Sequence, residues 1–411
     1  MGCCHEGRGI RFNAVAKRIV AAPMADLNQV REGLREIDIA VHNIWTLGKN
    51  MIVGWTADDD GLQVCFAPTH RVLGEAGNNP HLLDGSRQME PQVFARTCRI
   101  LQTRPLRLEL PFKVGTAKGE IPPDAVDTVI RRYSIVRTSH RAVMLFDIVG
   151  FQAAPPVIQL SQFTSLESSI SSAGEFLTEA GVKVELARST AGDGFIYVWN
   201  REAGFEADLR TYVALLVTLI DNALARQQLG FDNPLVPTLR SGFTIGSHYS
   251  YHQVEGTKPR GFEYATGQVT ITLARMIEKA LGGQILIGAF DRPTADGPAG
   301  GAARVDTVLF LAHAEKLLAR LKGRKLGETT LGEIRGILGG GTIDKKSHSV
   351  VKYAVADKHG NRYETFNLRL KADAGAGAAV EIGLSGNDLA GFDAQPAVYE
   401  IPIATKAAAT N

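Results

Sequence analysis

The strongest constraint on the fold is an apolar run that ends in an acidic residue. Residues 143–146 read VMLF, a pattern typical of a strand that is buried on both faces. Asp147 follows directly, and Gly150 and Phe151 come after it. The sequence therefore predicts a central strand that carries a carboxylate at its end. A turn follows in which glycine leaves the backbone uncovered by a side chain.

A second acidic turn follows later in the chain. Asp193 stands between Gly192 and Gly194, and residues 195–198 are the apolar FIYV. Because flanking glycines allow positive φ angles, this stretch predicts a hairpin tip. Two aspartates on adjacent strand ends suit divalent cations and a polyphosphate. Taken alone, either aspartate is equally compatible with an ordinary turn.

Two further stretches complete a pattern. Residues 239–246, LRSGFTIG, predict a strand with Arg240 at its start, and residues 262–290 predict strand, glycine turn, helix and strand, with Arg275 on the helix. Together with DIVGF and AGDGF, in this order, they make roughly residues 130 to 290 resemble the catalytic domain of class III nucleotidyl cyclases. The resemblance implies an α+β fold with a ferredoxin-like βαββαβ catalytic domain.

The resemblance also implies a reaction and its metals. The ribose 3′-oxygen of a nucleoside triphosphate attacks the α-phosphorus and releases pyrophosphate, with two Mg²⁺ or Mn²⁺ ions per site. Asp147 and Asp193 match the metal-binding aspartates, with the Ile148 carbonyl as an additional ligand. Arg275 matches the arginine that stabilises charge developing at the α-phosphate.

Other positions are expected to bind the phosphates. Arg240 matches a basic residue that contacts the triphosphate. The turn from Ile148 to Phe151, with Gly150 in it, is expected to present backbone N–H groups to the phosphates.

One position departs from the family pattern. The asparagine expected four residues before the arginine is Ile271 here, which cannot hydrogen-bond to ribose or phosphate. Thr270 or Thr272 could substitute in part, at a different angle. Three readings stay open: slow turnover, a transition state held differently, or a catalytically inactive cyclase fold that senses nucleotides.

The base-reading positions depart as well. Ser189 and Tyr264 stand where adenylyl cyclases have lysine and aspartate and guanylyl cyclases have glutamate and cysteine. Strand alternation points the neighbouring Arg188 to the other face. A tyrosine shortens the pocket and can hydrogen-bond a smaller base. The chain is similar in this respect to the pyrimidine cyclases of the Pycsar antiphage system, which make cyclic UMP or CMP from UTP or CTP for a cyclic-nucleotide-gated effector. The alternative is an adenylate or guanylate cyclase with a diverged base pocket.

The expected partners follow from the resemblance and the composition. In class III cyclases the metal aspartates come from one subunit and the residues matching Ser189, Tyr264 and Arg275 from the other, so we expect a head-to-tail homodimer with shared active sites. With 45 basic and 43 acidic side chains, nothing points to nucleic acid. The apolar run 212–220 is too short to insert into a membrane. Four cysteines without a CxxC spacing favour the cytoplasm.

The predicted domains are delimited by composition. They are a disordered leader (1–23) before Met24, an N-terminal α/β region of unknown role (24–120), the catalytic domain (121–295), a helical linker (296–348) and a small C-terminal β-rich, sensor-like module (349–411). Within the linker, TTLGEIRGILGGG predicts a short helix.

Overall fold

The computed structural model describes residues 27–58, 61–110, 113–117, 120–191, 194–255, 260–294, 303–339, 347–375 and 379–402. The predicted leader at 1–23 lies outside the described residues. The chain divides into two compact units, one of residues 1–137 with 249–264 and the other of residues 138–248 with 265–411.

The first unit combines a small sheet with four helices. Strands β1 (Asn50–Asp58), β2 (Gly61–Pro68) and β3 (Leu106–Glu109) form an antiparallel sheet in that order. The helices are α1 (Leu27–Trp45), α2 (Thr69–Ala76), α3 (Pro91–Ile100) and α4 (Pro123–Ile130). The predicted helix from Leu27 and the predicted hairpin over 51–67 are confirmed.

A buried arginine ties the loops of this unit together. Arg87 is fully buried, and burial lowers the pKa of its guanidinium to about 10. Its guanidinium donates to four main-chain carbonyls, those of Val53 (3.0 Å), Leu82 (2.8 Å), Asp84 (2.5 Å) and Gly85 (3.3 Å). Its own N–H donates to the carboxylate of Asp127 at 2.8 Å.

We expect Arg87→Met to lower the free energy of unfolding by about 3–5 kcal/mol, since buried carbonyls lose their donors. Urea unfolding followed by the fluorescence of Trp45 and Trp55 measures this loss. The matched control is Arg99→Met, on the exposed side of α3. Equal stability of the two variants would contradict the role given to Arg87.

The second unit is built on one twelve-stranded mixed sheet. Its main path runs β12-β13-β15-β9-β7-β4-β6-β5. The strands of the predicted catalytic part are β4 (Val136–Ile148), β5 (Leu186–Ala191), β6 (Phe195–Asn200), β7 (Leu239–Glu255), β8 (Arg260–Thr266) and β9 (Ile285–Gly288). β4 and β5 each pair antiparallel with β6, whereas β7 and β9 are parallel.

Helices cover both faces of this sheet. α5 (Pro156–Glu179) and α6 (Phe205–Leu229) pack on one face, against Met144 and Phe146 of β4. α7 (Gln268–Glu278) packs on the other, against Val143 and Leu145. The predicted apolar strand buried on both faces is therefore confirmed, and its alternate residues supply two different cores.

The same sheet continues through the C-terminal part of the chain. After β10 (Asp291–Thr294), β11 (Ala303–Asp306) and helix α8 (Thr307–Ala319) come β12 (Lys325–Leu326), β13 (Thr329–Leu338), β14 (Ser347–Ala356), β15 (Arg362–Ala374), β16 (Ala379–Ile382) and β17 (Gln395–Pro402). The predicted boundary at residue 349 thus falls inside β14, and strands from the predicted linker and module join the strands of the predicted catalytic domain.

The short helix predicted for residues 329–341 is wrong, because residues 329–338 form β13. The buried Leu331 and Ile334 are three residues apart, which suggested helical spacing. The register of β13 with β15 shifts between these two residues. A bulge adds a residue on one strand and so lets both side chains reach the same core.

None of the described helices is both long enough and apolar enough to cross a lipid bilayer.

Candidate active site

Asp147 lies at the buried end of β4. It pairs in register with Phe195 of β6, and its side chain is 4% exposed. By strand alternation it points to the face that α7 covers, the same face as Leu145. The carboxylate is therefore held on a rigid central strand, away from bulk water.

Arg240, at the start of β7, is the partner of this carboxylate. Both Nε and Nη2 of Arg240 donate to Oδ2 of Asp147, and Nη1 donates to the carbonyl of Ala280 at 3.3 Å. A cation is thus already bound to Asp147, so this carboxylate suits cation binding. The guanidinium has to share the carboxylate or leave it when a metal ion binds there.

The turn after Asp147 packs against the start of β6. The N–H of Ile148 donates to the carbonyl of Gly194 at 3.3 Å, and the N–H of Val149 donates to that of Thr238 at 3.0 Å. Two of the N–H groups expected to bind phosphates are therefore used by the fold itself. Those of Gly150, which adopts φ +72°, and Phe151 have no such partner in the part of the chain that the structure describes.

The second acidic turn lies beside this first one. Ala191, the last residue of β5, pairs with Phe195, which itself pairs with Asp147. Gly194 has φ +97°, and a Cβ there would lie 2.9 Å from the ring of Phe151. The predicted hairpin and the need for glycine at its tip are confirmed.

Asp193 itself lies outside the described residues. Among the residues that the structure does describe, no group of three or more His, Cys, Asp and Glu side chains could hold a metal ion. The nearest described residues on either side of Asp193, which are Ala191 and Gly194, lie at the sheet end where Asp147 stands.

Helix α7 carries Arg275. Its N-cap is Gly267, with φ +147°, where a Cβ would lie 2.8 Å from the Cα of His248. Arg275 is partly exposed, and its Nη1 donates to Oε2 of Glu278 at 3.0 Å. This hydrogen bond is the main reason that the pKa of Arg275 is raised.

The hydroxyls of the two threonines beside Ile271 are used by the fold to different extents. The Thr270 hydroxyl is buried, accepts from the N–H of Gly267 and donates to the carbonyl of the same residue. The Thr272 hydroxyl accepts from Gln268 at 3.3 Å. Ile271 is 51% exposed on the helix surface, one turn before Arg275. The idea that Thr270 substitutes is wrong, because its hydroxyl caps the helix.

The two predicted base-reading residues lie on different strands. Ser189 of β5 is half-buried and pairs with Tyr197. The neighbouring Arg188 forms an ion pair with Glu167 of α5 at 2.6 Å, which confirms that it points to the other face.

Tyr264 of β8 belongs to the first unit, where its ring stacks on Tyr251 of β7. The ring centroids are 5.4 Å apart and the planes are 18° from parallel. Sequence reasoning missed Tyr251. The stacking depends on the pairing of β8 with β7, which local sequence patterns do not reveal.

No protein-family model matches this chain, and no curated protein matches it. Solved structures do resemble it. The guanylyl cyclase Cya2 is 14% identical with a TM-score of 0.34, over 56% of this chain and 92% of that one. The adenylyl cyclase CyaB from P. aeruginosa is 11% identical with a TM-score of 0.31, over 57% and 95%. A bacterial light-regulated adenylyl cyclase is 12% identical with a TM-score of 0.33, over 59% and 56%. Such values are too low to transfer an activity, so function rests on the side chains.

Proposed function

We propose that the protein is a metal-dependent nucleotidyl cyclase that converts a pyrimidine nucleoside triphosphate, UTP or CTP, to its 3′,5′-cyclic monophosphate and pyrophosphate. The observation that carries this proposal is the buried carboxylate of Asp147. It binds a cation at the end of a central strand, beside the tip of a glycine hairpin.

The order of the strands supports the proposal. The elements β4, α5, β5, β6, α6 and β7 follow one another in the chain, while the sheet runs β7-β4-β6-β5. This is the arrangement of a ferredoxin-like βαββαβ unit. Its first and third strands lie side by side, so Asp147 and the turn before β6 meet at one sheet end.

Asp147, the Ile148 carbonyl and Asp193 are the groups that we propose hold two Mg²⁺ or Mn²⁺ ions. Oxygen ligands of this kind suit both ions. When bound, the ions would lower the pKa of the attacking hydroxyl and neutralise the triphosphate. Arg240, released from Asp147, binds the phosphates, and the N–H groups of Gly150 and Phe151 orient them.

Arg275 stabilises the charge that develops at the α-phosphorus. A positioned cation in a site shielded from water stabilises such charge far more than a cation in bulk solvent does. Ser189 and Tyr264 read the base. The metal-binding aspartates of each site come from one subunit of a head-to-tail homodimer. Ser189, Tyr264 and Arg275 come from the other subunit. The cyclic product then acts as an antiphage second messenger on a cyclic-nucleotide-gated effector.

One observation favours a second candidate. The exposed Ile271 and the capping role of Thr270 leave α7 without the expected amide next to Arg275. A catalytically inactive cyclase fold that binds nucleotide as a sensor would have this property. It should bind the triphosphate and return it unchanged.

The decisive assay incubates the full chain with Mn²⁺ and each of ATP, GTP, CTP and UTP separately, and identifies the products by mass. We expect a cyclic product from UTP or CTP only. A cyclic purine would retain the proposed site and overturn the base assignment. Nucleotide binding without any product, in a verified dimer, would favour the sensor. The Asp147→Asn variant, purified in the same way, controls for a contaminating enzyme.

A further inference from the structure

The C-terminal strands are attached directly to the strand that follows the Arg275 helix. β15 pairs antiparallel with β9 from Thr365 opposite Gly288 to Leu368 opposite Ile285. The Thr365 hydroxyl donates to the carbonyl of Ile287 at 3.0 Å. The C-terminal part is therefore built into the sheet that carries the candidate site.

The hydrophobic core beneath α7 also combines residues of this helix with residues of the C-terminal part of the chain. On one side it holds Val269, Leu273, Met276 and Ile277 of the helix, and on the other Val355 and Phe392 from the C-terminal part. Tyr353 and Tyr363 pack against it as partly buried residues. Helix α7 thus rests on residues contributed by the two strands of the β14–β15 hairpin and by the segment that follows them.

Polar contacts also join the segment that follows α7 to the C-terminal part of the chain. Gln284, which precedes β9, donates to the buried Asn367 of β15 at 3.1 Å. Asn367 in turn donates to the carbonyl of Leu384 at 2.8 Å. Lys279, just past the end of α7, forms an ion pair with Asp393 at 3.6 Å. The helix is therefore held at its C-terminal end as well as along its buried face.

The turn of the β14–β15 hairpin is rigid and carries a permanent negative charge. Asp357 accepts hydrogen bonds from the N–H groups of His359 and Asn361 and from the Asn361 side chain, at 2.8–3.0 Å. The Tyr363 hydroxyl donates to the same carboxylate at 3.2 Å. These bonds, that from the Asn361 side chain first, lower the pKa of Asp357 to about 2. Asp357 is ionised at every pH at which the protein would work.

The charge of Asp357 also acts on Arg275. The pKa of Arg275 is raised first by its hydrogen bond to Glu278, and also by the charges of Glu278 and Asp357. Glu278 is itself exposed on the helix. Of these two acids, Asp357 is the one that is held by hydrogen bonds within a turn.

We propose that the β14–β15 hairpin is the support on which α7 depends, and that Tyr363, which packs against the core of α7 and is bonded to Asp357 in the hairpin turn, thereby helps to position Arg275. The inference rests on the proposed cyclase activity, because Arg275 is the catalytic residue that the hairpin would position. It assigns to the C-terminal strands a part in catalysis, where the sequence suggested a separate sensor.

The test compares three variants of the full chain. Asp357→Asn keeps the Oδ1 acceptor for the turn and removes the charge, and Tyr363→Phe removes one hydroxyl. The matched control is Glu364→Gln, the residue next to Tyr363, which is 54% exposed and bonded to Lys352. Because a small misplacement of a catalytic group is costly, we expect Asp357→Asn to lower kcat about tenfold with KM unchanged. Tyr363→Phe should have a smaller effect and Glu364→Gln none.

Hydrogen exchange of the amides of residues 268–278 is the readout that does not need activity. We expect faster exchange in Asp357→Asn and Tyr363→Phe than in the wild type and Glu364→Gln. Unchanged exchange together with unchanged kcat would overturn the proposal, as would an equal loss in the control. If the wild type makes no cyclic nucleotide, the proposed function fails, and the exchange data alone decide whether the hairpin supports α7.

Discussion

Asp147→Asn is expected to lower kcat for the cyclic product by about a thousandfold or more, because Lewis-acid stabilisation by a metal ion is worth several kcal/mol and each 1.36 kcal/mol is a factor of ten. Asparagine keeps the shape of the side chain and an acceptor for Arg240 but removes the charge. The loss should appear at saturating nucleotide and should not be restored by excess Mn²⁺. It is measured by single-turnover assays under conditions in which the variant is shown to be folded.

The matched control is Asp208→Asn, which changes another buried aspartate of the same unit that is paired with an arginine. Asp208 is 1% exposed and accepts from Arg292 and from the N–H of Ala142, each at 2.7 Å. We expect this variant to lose stability while the folded fraction retains kcat. If Asp147→Asn and Asp208→Asn lose activity equally, the effect of Asp147 is structural and the proposed metal role is wrong.

The central strand was predictable because its constraint is local. Four consecutive apolar residues have to be buried on both faces, and alternate members of 143–146 lie in two different cores. The hairpin at Gly194 was predictable for a similar reason, since glycine at a turn allows a positive φ, and Gly194 has φ +97°. In both cases a few neighbouring residues determine the geometry.

What the sequence did not reveal depends on contacts between distant parts of the chain. The Arg240–Asp147 pair joins residues 93 positions apart. The pairing of β15 with β9 joins Thr365 to Gly288 across five intervening strands and a helix. β13 was misjudged because a bulge gives a strand the three-residue spacing of a helix. Such features are set by tertiary packing, which local periodicity does not encode.

Arg275→Ala is expected to lower kcat by about a hundred- to a thousandfold, the range seen when one positioned stabiliser of transition-state charge is removed. KM for the nucleotide should change little, because the guanidinium acts on charge that is absent from the ground state. The melting temperature should stay the same, since the ion pair with Glu278 is exposed and such pairs contribute little.

Arg275→Lys should recover only part of the rate that Arg275→Ala loses, because the lysine ammonium is a point charge without the planar fork of arginine. This partial rescue distinguishes a need for charge alone from a need for geometry. Lys316→Ala, which removes an exposed cation from the last turn of α8, is the control for a general effect of losing a surface charge. Full activity in Arg275→Ala would mean that the chemistry of this site does not pass through α7, and the catalytic role proposed for Arg275 would be wrong.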